Sequence, residues 1–274
     1  MLKRLQQALL LASFLGQPVL GADCGARDFL QIPLVDGQTD PVAMALLTAY
    51  PGLRLDGDTI VAPSGLRMPL GHDANRKAQD RLANPSLREQ FHDIYPLGFD
   101  LTSRETPWYD PGRPRVEALF QTLYGASAAE VKSTLQKTRI EGAATATFLM
   151  TDRQGVACQM AAALAEVAAL NIDWAPAFTD VGGSFNWRKI AGTERYSAHS
   201  YGIAFDLNSA LGGYWRWSGR PEGDAGPYHN NIPAEIVATF ERFGFIWGGK
   251  WHHFDGMHFE YRPELILYAR LMQR

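Results

Sequence analysis

The stretch SAHSYGIAFD, residues 197–206, says more about the fold than any other part of the chain. Residues 204–208, which begin within this stretch, are typical of a β-strand, and we predict a strand there. Because the side chains of a strand alternate between two faces, one face forms an apolar row that needs a core. That row consists of Ile203, Phe205 and Leu207. Asp206 faces the other way, beside the small Ala204, so the strand carries a carboxylate on its polar face.

A second stretch, WHHFDGMHFE at residues 251–260, follows the same pattern. A strand predicted over 257–261 directs an apolar row inward and two polar residues to the opposite face. The apolar row is Met257, Phe259 and Tyr261. The polar residues are His258 and Glu260, so both predicted strands offer side chains that can bind a metal ion.

These residue types match the needs of a catalytic zinc site. Such a site uses three protein ligands, commonly His and carboxylate, and leaves a fourth position for water. It also uses a carboxylate that is not a ligand and that takes the proton of the water. His199, Asp206 and His258 supply the three ligands, and Asp255 supplies the base. The ligand segments are about 50 residues apart, and the helical His-Glu-x-x-His motif is absent.

The pattern Ser-x-His-x-x-Gly-x-Ala-x-Asp, followed by an acidic residue three positions before a His, resembles a known family. It is similar to the zinc peptidases that comprise D-alanyl-D-alanine carboxypeptidases, D-Ala-D-Ala dipeptidases and L-alanyl-D-glutamate endolysins. The resemblance implies zinc at His199, Asp206 and His258 and a general base at Asp255. It covers residues 140–265 well and is looser over 24–140, where we assign no functional residue.

The same resemblance carries expectations about fold and substrate. The family shares its fold with the N-terminal signalling domain of hedgehog proteins, and it acts on the stem peptides of bacterial peptidoglycan. An Arg ahead of the first His binds the substrate carbonyl or carboxylate in that family; Arg188 is the first candidate here and Arg195 the second. The segment GGSFNWRKIAGT, residues 182–193, and the Asp base look more like the endolysin branch. We therefore favour an endopeptidase that cuts L-Ala-D-Glu over a D-Ala-D-Ala carboxypeptidase.

Several residues near the motifs have ordinary structural explanations. His252 and His253 are not expected to be ligands, and we place them in an exposed turn or beside a ligand. Glu260 either orients His258 or is solvated. Ser197 and Ser200 flank His199, but adjacent residues seldom form the hydrogen bond of a serine nucleophile. The tryptophans are more often core residues than substrate contacts. They are Trp187, Trp215, Trp217, Trp247 and Trp251.

The order of predicted elements indicates an α+β fold around a small antiparallel sheet with flanking helices. Helices are predicted over 116–124, 128–137, 156–170 and 233–243, with shorter ones at 41–49 and 86–95. Strands are predicted over 143–151, 204–208 and 257–261. Ten prolines break the pattern between 24 and 115. We therefore divide the chain into a leader at 1–22, a loop-rich accessory region at 23–140 and a peptidase domain at 141–274.

The N-terminus predicts export. Lys3 and Arg4 precede an apolar stretch over 8–20, and small residues follow before Asp23, as in a cleaved signal peptide. No later stretch approaches the ~20 apolar residues of a membrane span. The two cysteines, Cys24 and Cys158, are then expected to form a disulfide in the periplasm or outside the cell. A net charge of −3 without a basic run argues against nucleic acid as a partner.

The predicted activity is hydrolysis of an amide bond in a peptidoglycan stem peptide by zinc-activated water. Two other classes remain open at this point. A non-catalytic zinc-binding recognition module would keep the metal without needing Asp255, and a purely structural envelope protein would bind no zinc. The oligomeric state is left open as well.

Overall fold

A computed structural model of the chain describes residues 24–34 and 40–273. The predicted leader at 1–22 lies outside the described residues. Within them no helix is both long and apolar enough to cross a membrane. The mixture of helices and small antiparallel sheets confirms the α+β class.

The described residues form seven α-helices. They are α1 Pro41–Ala49, α2 Ala78–Ala83, α3 Glu117–Tyr124, α4 Ala128–Lys132, α5 Val156–Ala169, α6 Ala234–Arg242 and α7 Pro263–Met272. Capping side chains begin two of them. Asp40 accepts hydrogen bonds from the amides of Val42 and Ala43, and Ser127 accepts one from Glu130. Ser127 thus caps the start of α4.

Nine strands in the described part form three antiparallel sheets. The first sheet holds β1 Arg54–Asp56, β2 Thr59–Val61 and β3 Arg67–Pro69, and the second holds β4 Leu135–Ile140 and β5 Ala146–Thr151. The third has four strands in the order β6-β7-β9-β8. These are β6 Val181–Gly183, β7 Ala204–Asn208, β8 Phe245–Trp247 and β9 His258–Tyr261.

Some predicted elements were wrong. The helix predicted over 128–137 ends at Lys132, and Leu135–Ile140 is a strand. The cause is long-range pairing, because β4 lies against all of β5 from Leu135 opposite Thr151 to Ile140 opposite Ala146. The helix predicted over 86–95 is only a 3-10 turn at Glu89–Phe91. The other elements that were not predicted are β1, β2, β3, β6, β8, α2 and α7.

One hydrophobic core connects the region before residue 140 with the region after it. Phe205, from the predicted apolar row of β7, has no exposed surface, and its ring stacks on that of Phe259 in β9. From the N-terminal side, Leu46 and Phe120 belong to the same core. α1 packs on α7, and the Tyr50 hydroxyl after α1 donates a hydrogen bond to Glu264 at 2.5 Å. The division of the chain at 140 stays a prediction.

Cys24 and Cys158 form a disulfide, as predicted, with their Cα atoms 5.8 Å apart. The bond fixes the first described residue to α5. Close by, the Gln159 side chain accepts a hydrogen bond from the amide of Arg27 at 2.7 Å. The start of the described chain is therefore held against the core at several points.

Candidate metal centre

Two neighbouring strands and a tight turn position the predicted ligands. β7 and β9 run antiparallel with Asp206 directly opposite His258. His199 lies on the 3-10 turn Ala198–Tyr201, which ends at Gly202 just before β7. Gly202 has a φ of 66°, and a Cβ there would lie 2.7 Å from Leu135 Cδ2. Glycine at this position allows the turn that brings His199 beside the sheet.

The three side chains converge on one point. His199 Nε2 lies 3.2 Å from His258 Nδ1 and 3.3 Å from Asp206 Oδ1. His258 Nδ1 lies 3.0 Å from the same oxygen of Asp206. Zinc ligands at 2.0–2.1 Å in a tetrahedron are about 3.3 Å apart, so the triangle has the right size for such an ion. The cluster can therefore hold a metal ion.

The outer sides of the two imidazoles show that the inner nitrogens suit a cation. His199 Nδ1 donates to the carbonyl of Ser184 at 2.5 Å, and His258 Nε2 donates to Glu260 at 3.2 Å. Both acceptors accept only, so in neutral rings the protons lie on those outer nitrogens. The inner nitrogens then direct lone pairs at each other and at the Asp206 carboxylate. A bound cation resolves that arrangement, so the residues fit the implied metal.

A proton can occupy the same position, between the inner imidazole nitrogens and the Asp206 carboxylate. Burial opposes a charge on His258, but hydrogen bonds to Asp206 and Glu260 raise the pKa of His258 to about 10. Burial also opposes the ionised form of Asp206, yet the two histidines hold the pKa of Asp206 well below its usual range. The electrostatics of the cluster therefore favour a positive charge between the two histidines and Asp206.

Asp255 lines the same pocket as the cluster but is not part of it. Its Oδ1 atom is buried and has no hydrogen-bond partner among the described residues. Burial, opposed by His258 and aided by Asp206, raises the pKa of Asp255 to about 6. A carboxylate with one buried, unpartnered oxygen and a pKa near neutrality has the properties of a general base.

Four arginines line the pocket, two on each side of the predicted domain boundary. Arg113 pairs with Asp110 at 2.8 Å, and Arg115 pairs with Glu260 at 2.9 Å. Across residues 24–34 and 40–273, Arg188 and Arg195 have no carboxylate within ion-pair distance. The pocket therefore presents two unneutralised guanidinium groups near the cluster.

Of these two, Arg195 is the better buried. Arg188 is exposed, whereas Arg195 is partly buried and donates to the carbonyl of Arg113 at 2.9 Å. Burial, together with the charges of Arg115 and Arg113, lowers the pKa of Arg195 to about 9. A ligand carboxylate would relieve that repulsion between like charges. Arg195, the second candidate, is therefore better placed than Arg188, the first candidate, to bind a ligand carboxylate.

Tyr214, Trp215 and Trp251 form the aromatic part of the pocket wall. The amide of Trp215 donates to the carbonyl of Phe254 at 2.9 Å, which holds the loop after β7 against the segment before β9. Trp215 and Trp251 are buried, but the expectation of a core position was wrong for Trp217, which is 63% exposed. Part of the aromatic set therefore faces the pocket and part faces solvent.

Of the two alternatives predicted for His252 and His253, the exposed turn was wrong, because both side chains are buried. His253 Nδ1 bonds Asp110 at 2.6 Å, and its Nε2 accepts from the amide of Gly223 at 2.8 Å. His252 Nε2 lies 3.2 Å from the carbonyl of the same glycine. Neither histidine belongs to the metal cluster. Their partners lie far away in the chain, which is why local sequence suggested an exposed turn.

Sequence reasoning also missed two residues of the pocket. Arg113 and Arg115 precede α3, in the region where no functional residue was assigned. The signal was the segment DPGRPR at 110–115, where two arginines stand in a short loop stiffened by prolines. Glu260 is fully buried and bonded to His258, so of its two predicted alternatives the solvated one was wrong.

The cluster and the nearby carboxylate define a candidate metal-dependent hydrolase site on an α+β fold. The family comparison points the same way. Residues 191–261 match the family model described as D-alanyl-D-alanine carboxypeptidase, a segment that contains the three predicted ligands and Asp255. The resemblance drawn from these motifs is confirmed, and the match supports a peptidase. No curated protein and no solved structure shows significant similarity to the chain.

Proposed function

We propose that this protein is a zinc-dependent peptidase that hydrolyses peptide bonds in peptidoglycan stem peptides. One observation carries the proposal: three ligand atoms lie within 3.3 Å of one another, in a pocket that also holds Asp255, a carboxylate with one buried, unpartnered oxygen. The family match over 191–261 supports the peptidoglycan substrate class. We also propose the hedgehog and D-Ala-D-Ala peptidase type of fold, because Asp206 and His258 stand on adjacent antiparallel strands and His199 stands on the turn just before them.

The chain's own residues then divide the work. His199, Asp206 and His258 would hold the ion, which when bound would acidify a water and polarise the scissile carbonyl. Asp255 would take the proton from the water and return it to the leaving amine. A pKa near 6 suits both steps, because the group is ionised at neutral pH yet basic enough to accept a proton.

Arg195 and Arg188 are proposed to bind an anionic group of the substrate next to the cut bond. A carboxylate suits this wall, because guanidinium groups bind it through two parallel hydrogen bonds. Each of the two candidate bonds has a carboxylate next to it. A terminal D-Ala has its own carboxylate, and a glutamate that continues through one carboxyl group leaves its other carboxylate free. The arginines alone therefore do not choose between the two bonds.

The space beyond Arg195 favours the endopeptidase. A second pocket shares Arg113, Ile190 and Arg195 with the first and extends towards Leu82 of α2 and Thr193. An endopeptidase needs such room for the chain that continues past the cut, whereas a carboxypeptidase needs only the carboxylate site. We propose cleavage at L-Ala-D-Glu.

The activity is tested by incubating the purified chain with peptidoglycan and weighing the released fragments. We expect cleavage that stops when a chelator removes the metal and returns when zinc is added back. Zinc binding without any cleavage would instead favour the recognition module, and absence of zinc binding would contradict the metal site itself.

The cut bond is tested separately with a defined muropeptide that contains both candidate bonds. Release of the stem peptide from its L-Ala, seen as the corresponding product mass, is the expected outcome. Loss of a single terminal Ala would contradict the endopeptidase assignment and leave the zinc mechanism intact.

Export through a cleaved leader is part of the proposal, and it places the enzyme with its substrate in the periplasm or outside the cell. The Cys24–Cys158 disulfide supports it, because such bonds persist in oxidising compartments. Mass spectrometry of the exported protein should show a start near Asp23. An intact Met1 would contradict cleavage.

A further inference from the structure

A chain of buried charges runs from His258 into the N-terminal region. Glu260 and Arg262 on and after β9 have no exposed side-chain surface. Glu260 Oε1 accepts from Arg262 at 2.8 Å, while its Oε2 accepts from Arg115 at 2.9 Å. The same Oε2 atom accepts from His258 Nε2 at 3.2 Å. One carboxylate thus contacts a candidate metal ligand and two guanidinium groups.

The network continues from Arg262 to Gly112, before residue 140, and to Glu264 in α7. Arg262 donates to the carbonyl of Gly112 at 2.6 Å and to Glu264 at 2.6 Å. Gly112 has a φ of 99°, and a Cβ there would lie 2.6 Å from Ile246 Cδ1. Glycine lets the 110–115 loop approach closely enough to seat Arg115 over Glu260. The position of Glu260 is therefore set jointly by the sheet and by this loop.

Stability alone is a poor explanation for such a network. Two carboxylates and two guanidiniums balance in charge, but removing four charges from water costs about as much as their attraction returns. Apolar residues of the same volume would often serve the fold equally well. The network has a specific end point, since Glu260 accepts the outer proton of His258 and so leaves Nδ1 facing Asp206.

We propose that Glu260 and Arg115 are positioning residues for His258, through which the N-terminal region sets the geometry of the metal ligand. This inference rests on the proposed metal site. Arg115 holds the Glu260 carboxylate in place, and Glu260 holds the imidazole. Arg115 is 10% exposed at the pocket, so the same side chain borders the substrate space.

The test is zinc affinity of the full mature chain, measured by competition with a chromophoric chelator at fixed pH. Carboxylates that support metal-bound histidines contribute roughly 10- to 100-fold to affinity, and we expect Glu260→Gln to weaken zinc binding by that factor. Arg115→Met should weaken it less, and Arg115→Lys should recover part of the loss because it keeps a cation beside Glu260. Cobalt spectra of the same variants should report altered ligand geometry.

Glu241→Gln is the matched control. Glu241 is equally buried, pairs with the buried Lys250 and accepts from the Tyr95 hydroxyl at 2.5 Å, but bonds none of the three ligands. The Glu241→Gln substitution should lower the melting temperature of the metal-free protein and leave its zinc affinity unchanged.

The outcomes separate the possibilities. If Glu260→Gln and the Arg115 variants behave like Glu241→Gln, with lower melting temperature and unchanged zinc and cobalt binding, the positioning role is refuted. If Glu260→Gln does not fold, the comparison of Arg115→Met with Arg115→Lys still decides. Failure of the unmodified chain to bind zinc would refute the proposed function instead.

Discussion

The pocket has two walls that are built in different ways. One wall consists of β7, β9 and the turn before β7, and it carries the metal cluster at distances of 3.0 to 3.3 Å. The other wall is the 110–115 loop, which carries Arg113 and Arg115 and is held by ion pairs to residues far along the chain. The sheet wall holds the three candidate ligands, whereas the arginines of the loop wall are paired with carboxylates, Arg113 with Asp110 and Arg115 with Glu260. The difference suggests that substitutions in the two walls fail in different ways.

The largest effects are expected in the sheet wall, where loss of metal and loss of the base can be separated. His258→Ala should abolish both zinc binding and activity, because two remaining ligands do not make a stable site. Asp255→Asn should keep about one zinc per chain and lower kcat by at least ~100-fold, the usual contribution of a positioned base. Metal analysis and kcat are measured on the same samples.

The opposite pattern would reverse the assignment of roles. If Asp255→Asn lost zinc while His258→Ala retained it, Asp255 would be a ligand. Asn is chosen at 255 because it preserves size and removes only the basic oxygen, so the metal analysis is not complicated by a cavity.

The two walls also differ in how far the sequence could predict them. Asp206 and His258 follow from alternation within single strands, a local property, and the antiparallel register then puts them opposite each other. The helix predicted over 128–137 included the first three residues of β4, and it was wrong there because pairing with β5 outweighs local preference. The loop wall was missed because Arg115 reaches Glu260 across 145 positions, and no local pattern encodes that contact.

The next largest effect is expected on substrate binding, where Arg195 can be compared with Arg188. Arg195→Met should lower kcat/KM by roughly 10- to 100-fold, since a hydrogen bond to a charged group contributes about 1.5–3 kcal/mol. Arg188→Met should have a smaller effect, because Arg188 is exposed to solvent. Zinc content should not change in either variant.

A substrate analogue that lacks the carboxylate next to the cut bond sharpens the test. It should be a poor substrate for the unmodified enzyme and lose little further activity with Arg195→Met. If Arg188→Met proved the more damaging change, the first candidate of the sequence analysis would be the right one, and the buried arginine would have a structural role.

The smallest effect on catalysis is expected from substitution of Asp110, which connects the loop wall to the segment before β9. This substitution should instead lower the stability of the fold. Asp110 from the loop wall accepts from the His253 amide at 2.9 Å, from its ring at 2.6 Å and from Arg113 at 2.8 Å. Burial opposes ionisation of Asp110, yet Arg113 and His253 lower its pKa to about 2. Compared with an unfolded value of about 3.9, that difference stabilises the fold by on the order of 2 kcal/mol at neutral pH.

The sign of the pH dependence follows from the lowered pKa. A carboxyl group whose pKa is lower in the folded state contributes stability above the unfolded pKa and loses it as pH falls through the folded one. Urea unfolding should therefore show Asp110→Asn well below the unmodified protein at pH 7, with the gap shrinking between about pH 4 and pH 2. Asp56→Asn is the control, because its ion pair with Arg67 is more than half exposed and should contribute little. A gap that stays constant with pH, or that equals the control's, would show that ionised Asp110 does not hold the 110–115 loop against His253.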